Sequence, residues 1–382
     1  MKKRIVALVL CAVMVLSLAA CGGGNTPSTT KAPTTTAAPG TTQATNPEAK
    51  VIQIGHPDPS GKYSRFDFAI DKINEKLKEN CNGAIQFLSV PNGQLGTETD
   101  MLNGVSEGSM DACMISCDTF SSQVPMLHLF SMPYMFNYYG QSFLLLDDPE
   151  FMQKTRDEFA NNWGIQVMGG YMYNGPRMLC ATKPIRTLAD AKGMIVRTTT
   201  NPIATATWTA IGANPTVIAF SECYTAFSQG VCEAIDCPVT TQHICNFYEI
   251  GKYLNYTDEY DVLSIPLMNK KLYESFSPEL QKALDEAFEY GVKAERENEI
   301  KNIELAGAEM TDGTVAKLER CDIDRAEFQK ACLSVHESYY NDEKIGGPDY
   351  FDWAYEKLDE DNKAKGYPLW KDLATWTNYS KK

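Results

Sequence analysis

The stretch "GMIVRTTTNPIATATWTAIGANPTVIAF", residues 193–220, decides the fold class. Met194-Ile195-Val196 is a short apolar run that reads as a strand. "PIATATWTAIGA" (202–213) reads as a helix closed by Gly212, and "NPTVIAF" (214–220) returns to a strand. Strand, helix, strand at this length is the repeating unit of an α/β sheet. The first strand runs into Arg197, and no acid follows within ten residues. A guanidinium beside apolar neighbours needs a partner, because a desolvated, unpaired charge is costly. Its partner therefore comes from far along the chain, or is not protein.

The pattern extends in both directions. Downstream, "SECYTAFSQG" (221–230) predicts a helix with Ser221 as N-cap, and "CEAIDCP" (232–238) a brief strand. Upstream, "IQVMGGYMY" (165–173) and "MLCAT" (178–182) are strand-like, and "LADAK" (188–192) is a short helix. The first segment repeats the alternation. Strands at "VIQIGH" (51–56), "AIQFLSV" (84–90) and "MDACMIS" (110–116) enclose helices at 63–80 and 98–108. A mostly parallel sheet flanked by helices is expected. Two similar α/β lobes imply a cleft, and ligands favour such interfaces and the carboxyl ends of parallel strands. Arg197 stands at one such strand end.

The C-terminal part reads as helical. Ser277-Pro278-Glu279 opens a helix to about residue 308, long enough to bridge both lobes. Asp324, with Glu327 in the capping-box position, opens another, and "GGPDYFDWAYEKLDED" (346–361) a third.

The N-terminus carries "MKKR", then an apolar run ending Leu18-Ala19-Ala20-Cys21, which resembles a bacterial lipobox. Residues 1–20 are thus expected to be a lipoprotein signal peptide, with Cys21 the lipidated first mature residue. Residues 21–49, rich in Thr, Ala and Pro, are expected to be a tether reaching at most ~90–100 Å when extended. The predicted location is the outer face of the cytoplasmic membrane, lipid-anchored.

The formal net charge of −14 excludes a basic nucleic-acid footprint, though one locally positive pocket remains compatible with it. Ten cysteines follow Cys21, several within apolar runs, where free thiols act as small hydrophobes. No C-x-x-C occurs, and no metal or cofactor is expected. A cysteine hydrolase using Cys237 and His243 lacks any established catalytic spacing, so no enzyme is expected.

Several stretches together resemble one family. "YNGPRMLCATKPIRTLADAKGMIVRT" (173–198), "GANPTVIAFSECYTAFSQGVCEAID" (212–236) and "NFYEIGKYL" (246–254) are similar to the dicarboxylate-binding (DctP) type of solute-binding protein of TRAP transporters. "NGQLGTETDML" (92–102), "EGSMDACMI" (107–115) and "FSMPYMF" (130–136) are similar to that family's first lobe. The resemblance implies a two-lobed periplasmic-binding-protein-like fold with a hinge, an interlobe cleft and a long helix bridging both lobes. Lobe I would comprise 51–174 plus 263–302, and lobe II 175–262 plus 303–382. It implies capture of a small organic acid for delivery to a TRAP membrane permease. The alternative is a sensory lipoprotein presenting the ligand to a membrane receptor.

The resemblance also assigns residues. Arg197 would receive the ligand carboxylate in a bidentate salt bridge, with Arg177 as a second ligand-side arginine. Phe220 would pack on the ligand's carbon skeleton. Glu98, Ser116 and His56 match first-lobe positions near the cleft. Cys237 departs from the pattern. It stands where the family usually places an Asn beside the arginine, and a thiol is a poor copy of an amide donor.

Overall fold

The computed structural model describes residues 48–377 and 379–381. The expected signal peptide, Cys21 and the tether up to residue 47 lie outside the described residues. The described residues form one compact unit.

Its centre is a single mixed sheet. In chain order the strands are β1 (Lys50–Gly55), β2 (Ile85–Val90), β3 (Ala112–Ser116), β4 (Ile165–Val167), β5 (Met172–Ala181) and β6 (Ile195–Thr198). They continue with β7 (Asn214–Val217), β8 (Ala234–Pro238), β9 (Tyr253–Tyr256), β10 (Asp261–Asn269) and β11 (Glu319–Asp322). The spatial order is β2-β1-β3-β10-β5-β8-β6-β7, with β4 on β10 and the β9–β11 pair on β5. Each end is parallel, as the strand–helix–strand units require. The middle departs from the expected mostly parallel sheet, because β10 and β5 run antiparallel to each other and to β3 and β8. Antiparallel partners far apart in sequence leave no local pattern, so these two strands join what would otherwise be two separate parallel sheets.

The junction is marked chemically. The β10–β5 register shifts between Val262 and Leu263, and Gly175 in β5 takes φ 82°. A Cβ there would lie 2.6 Å from Ile303 Cδ1, so both the left-handed backbone and the close approach require glycine. Ile303 belongs to the long helix Pro278–Thr311, capped by the Ser277 hydroxyl as expected. The helix Arg65–Cys81 buries Phe66, Ala69, Ile70, Ile73 and Leu77. It packs on the long helix where Gly291 leaves room: a Cβ would come within 2.5 Å of Ile73 Cγ1. One long helix therefore serves both ends of the sheet.

Three local expectations are corrected. "IQVMGGYMY" is split into β4 and β5 by Gly169 and Gly170, both at positive φ. Ser221 is no N-cap. A 3-10 turn at Phe220–Glu222 precedes the helix Cys223–Ser228, and no side chain caps it. Asp324 caps the helix Arg325–Tyr339 by accepting from the amides of Ala326 and Glu327, which is only half of a capping box. The helix Pro149–Asn162 and strands β9 and β10 had no counterpart in the sequence reading. All ten cysteines of the described residues are free thiols, eight of them buried.

Candidate functional site

A small cavity of about 80 Å³ opens between residues carried by the β1–β3 part and the β6–β8 part of the sheet. Arg197, Arg177, Phe220, Cys237, Glu98 and Ser116 all line it. His56 does not. It is fully buried, its Nε2 2.9 Å from Ser89 Oγ and 3.2 Å from Asp67 Oδ1, and its ring packs on Phe66. The proposed role of His56 is therefore replaced by a packing role between β1, β2 and the first helix.

Arg197 is held by the sheet. It sits in β6 between β7 and β8, opposite Thr216 and Ile235. Only 2% of its surface is exposed. Its Nε and Nη2 donate to the Ile218 carbonyl at 3.0 and 2.9 Å, and Nη1 lies 3.5 Å from the Asp236 carbonyl. These partners are dipoles. Among the described residues, no carboxylate forms an ion pair with Arg197. The guanidinium is thus oriented by the backbone and keeps its net charge facing a cavity.

Arg177 differs. Its Nη2 pairs with the Asp118 carboxylate. Its Nη1 donates to the Asp236 carbonyl at 2.7 Å, with Asp236 Oδ1 3.5 Å away. Its charge is met by protein acids, and only Nε is without a partner.

Glu98 opens the helix Glu98–Glu107, and Ser116 ends β3. The Ser116 amide donates to Glu98 Oε1 at 2.7 Å. Burial, aided by the carboxylates of Asp58 and Asp118, raises the Glu98 carboxyl from its ordinary 4.5 to about 7. Between those values the folded protein holds a proton that the unfolded chain releases. The associated stability is therefore fully present below about pH 4.5 and is lost as pH rises through about 7. Glu98→Gln is expected to stabilise the protein more at about pH 8 than at about pH 5, reducing the slope between them. Glu299, also raised to about 7 by burial, keeps part of that slope. Urea unfolding at both pH values checks this; an equal change at both would contradict it.

Cys237 is 4% exposed and lies in β8 opposite Met178. Burial pushes its thiol up to about 12, far from an activated nucleophile. His243 is absent from the cavity wall and bonds Glu309 Oε2 at 3.1 Å. Among the described residues no cluster of three or more His, Cys, Asp or Glu could hold a metal.

Sequence reasoning missed Arg65 and Asp58. Arg65, first residue of its helix, forms a buried pair with Asp58 and lies 3.4 Å from Thr241 Oγ1, and all three line the cavity. A signal existed: a cation at a helix N-terminus opposes the macrodipole and needs another reason to be there. Asn174, whose Oδ1 accepts from Ser264 Oγ at 3.2 Å, had no such signal.

The family described as bacterial extracellular solute-binding protein, family 7 (DctP), matches residues 60–343. The chain is 28% identical over 274 residues to the 2,3-diketo-L-gulonate-binding periplasmic protein of Escherichia coli K12, covering 69% of this chain and 79% of that one. Its fold matches the sugar acid binding protein of Advenella mimigardefordensis in complex with galactonate (TM-score 0.75, 20% identity, 82% of this chain and 99% of that one). It also matches a TRAP periplasmic solute-binding protein of Anaerococcus prevotii with bound D-glucuronate (TM-score 0.73, 19% identity, 81% and 98%). The family match spans most of the chain, and the two-lobed fold is shared. The chain belongs to family 7 of the bacterial extracellular solute-binding proteins, the DctP-type binding proteins of TRAP transporters.

Proposed function

We propose that this protein captures a small hydroxylated carboxylate of the sugar-acid class in its interlobe cavity and delivers it to a TRAP membrane permease. The observation that carries this reading is Arg197: buried, oriented by carbonyls, and without a carboxylate partner among the described residues. A ligand carboxylate would supply the missing charge in bidentate geometry. Glu98, Ser116 and Asn174 offer partners for hydroxyls, and Phe220 a face for the carbon skeleton. Galactonate and D-glucuronate are bound by the two proteins of the same fold named above.

Residues 51–174 plus 263–302 would move as one lobe, and 175–262 plus 303–382 as the other. The Gly175 kink, the Val262/Leu263 register shift and Ile303 fall together at that boundary. Closure would be driven by contacts made to both lobes at once. Cys21 would carry the lipid anchor at the outer membrane face. No helix among the described residues is long and apolar enough to cross a membrane. The cavity would bind and release without chemistry, since its thiol is held protonated and its histidine is elsewhere.

Thermal-shift measurements with D-glucuronate, D-galactonate and simple carboxylates test the reading. A ligand at 100 times its Kd adds about 2.7 kcal/mol of stability, so binding is visible. No shift with any carboxylate would refute it.

A further inference from the structure

A second cavity, of about 570 Å³, shares no lining residue with the Arg197 cavity. One wall is the C-terminal part of the long helix, from Ile303 to Thr311. The other is built by the turn between β9 and β10, the end of β11 and the start of the helix Arg325–Tyr339.

Arg325 repeats the construction of Arg197. Its Nη1 donates to the Asp258 carbonyl at 3.1 Å and its Nη2 to the Phe136 carbonyl. The guanidinium lies 5.0 Å from the centre of the Tyr134 ring. Arg320 in the same wall is paired with Asp322, whereas Arg325 forms no ion pair among the described residues. Beside it stands an uncommitted acid. Asp258 Oδ1 is buried without a hydrogen-bond partner, and Oδ2 accepts no bond among the described residues. The Arg325 guanidinium thus bonds the carbonyl of Asp258 but not its carboxylate. Burial raises that carboxyl to about 6, so it is mostly ionised at neutral pH.

Two opposite charges therefore share one cavity, and neither is spent on the other. A plain anion would satisfy Arg325 but meet the Asp258 carboxylate, and a plain cation would meet the guanidinium. A molecule carrying both charges satisfies both at once. We propose that this cavity is a second ligand site, which takes a free α-amino acid with an apolar side chain. Its carboxylate would pair with Arg325 and its ammonium with Asp258. Its side chain would cover the apolar surface of Ile303, Ala308 and Ile323.

Titration calorimetry of the protein with L-leucine and L-phenylalanine tests this. Each is compared with its analogue lacking the ammonium (4-methylpentanoate, 3-phenylpropionate) and its analogue lacking the carboxylate (3-methylbutylamine, phenethylamine). At least one amino acid is expected to bind with a Kd of about 1 mM or tighter, and its analogues at least about tenfold more weakly. Asp258→Asn and Arg325→Gln should each cost about tenfold or more, while Arg197→Ala should leave the affinity unchanged. Asn tolerates the left-handed backbone of residue 258, φ 45°, so Asp258→Asn decides if Arg325→Gln does not fold. No binding of either amino acid, or analogues that bind as tightly, would overturn the inference. Binding that is lost in Arg197→Ala and survives Asp258→Asn would overturn it too, since the amino acid would then occupy the other cavity. Silence from both amino acids leaves the Arg197 reading untouched.

Discussion

Arg197→Ala is expected to abolish carboxylate binding at any practical concentration. Removing one partner of a buried, hydrogen-bonded charge pair costs about 2–5 kcal/mol, equivalent to roughly 30–5,000-fold in Kd. The upper part of that range applies here because the guanidinium is almost wholly buried and has no protein carboxylate to fall back on among the described residues. Arg197→Lys should fall between the two, since an ammonium keeps the charge but not the planar fork. The substitution also leaves the Ile218 carbonyl without two donors, so the ligand-free melting temperature must be measured alongside. Calorimetry with whichever carboxylate binds the wild type is the check. An Arg197→Ala protein that folds and binds within about threefold of wild type would show that the carboxylate sits elsewhere.

Asp118→Ala should produce the largest stability loss among the cavity's supporting residues. Asp118 follows β3 at one end of the sheet, yet it pairs with Arg177 of β5 and accepts from Asn201 Nδ2 at 3.2 Å and Ser131 Oγ at 3.3 Å. The Tyr260 hydroxyl lies 3.5 Å from its other oxygen. One carboxylate thus ties β3, β5 and the segment after β6 together. Truncating it strands the buried Arg177 charge, for which about 3–5 kcal/mol is the usual cost. Asp236 remains beside Arg177 and moderates the effect. Asp118→Asn, which retains hydrogen-bonding capacity, should lose clearly less. Urea unfolding measures all three proteins; a loss below about 1 kcal/mol for Asp118→Ala would mean that Asp236 alone satisfies Arg177.

The two arginines show how a sequence informs and misleads. Both were assigned to the ligand, and both line the cavity. No acid follows either arginine within ten residues, so the same local signal marked both, yet the charge of Arg177 is matched by Asp118, 59 residues away. Glu98 and Ser116 were named separately, yet they form one hydrogen-bonded unit. His56 matched a position along the chain, but the end of β1 turns its ring toward Phe66 and Ser89.

Local chemistry was enough wherever the determinant was local. Hydrophobic periodicity and caps placed the strand–helix–strand units and the long helix, because periodicity of 2 or 3.6 residues is written in consecutive positions. What the tertiary structure alone decided is how those units meet. The antiparallel β10–β5 junction pairs Asp261 with Pro176, and the Arg65–Asp58 pair reaches Thr241 across 176 positions. The unpartnered state of Arg197 likewise depends on which acids fold near it. Such pairings are set by burial and charge balance in the folded chain, and those quantities exist only once distant segments have been brought together.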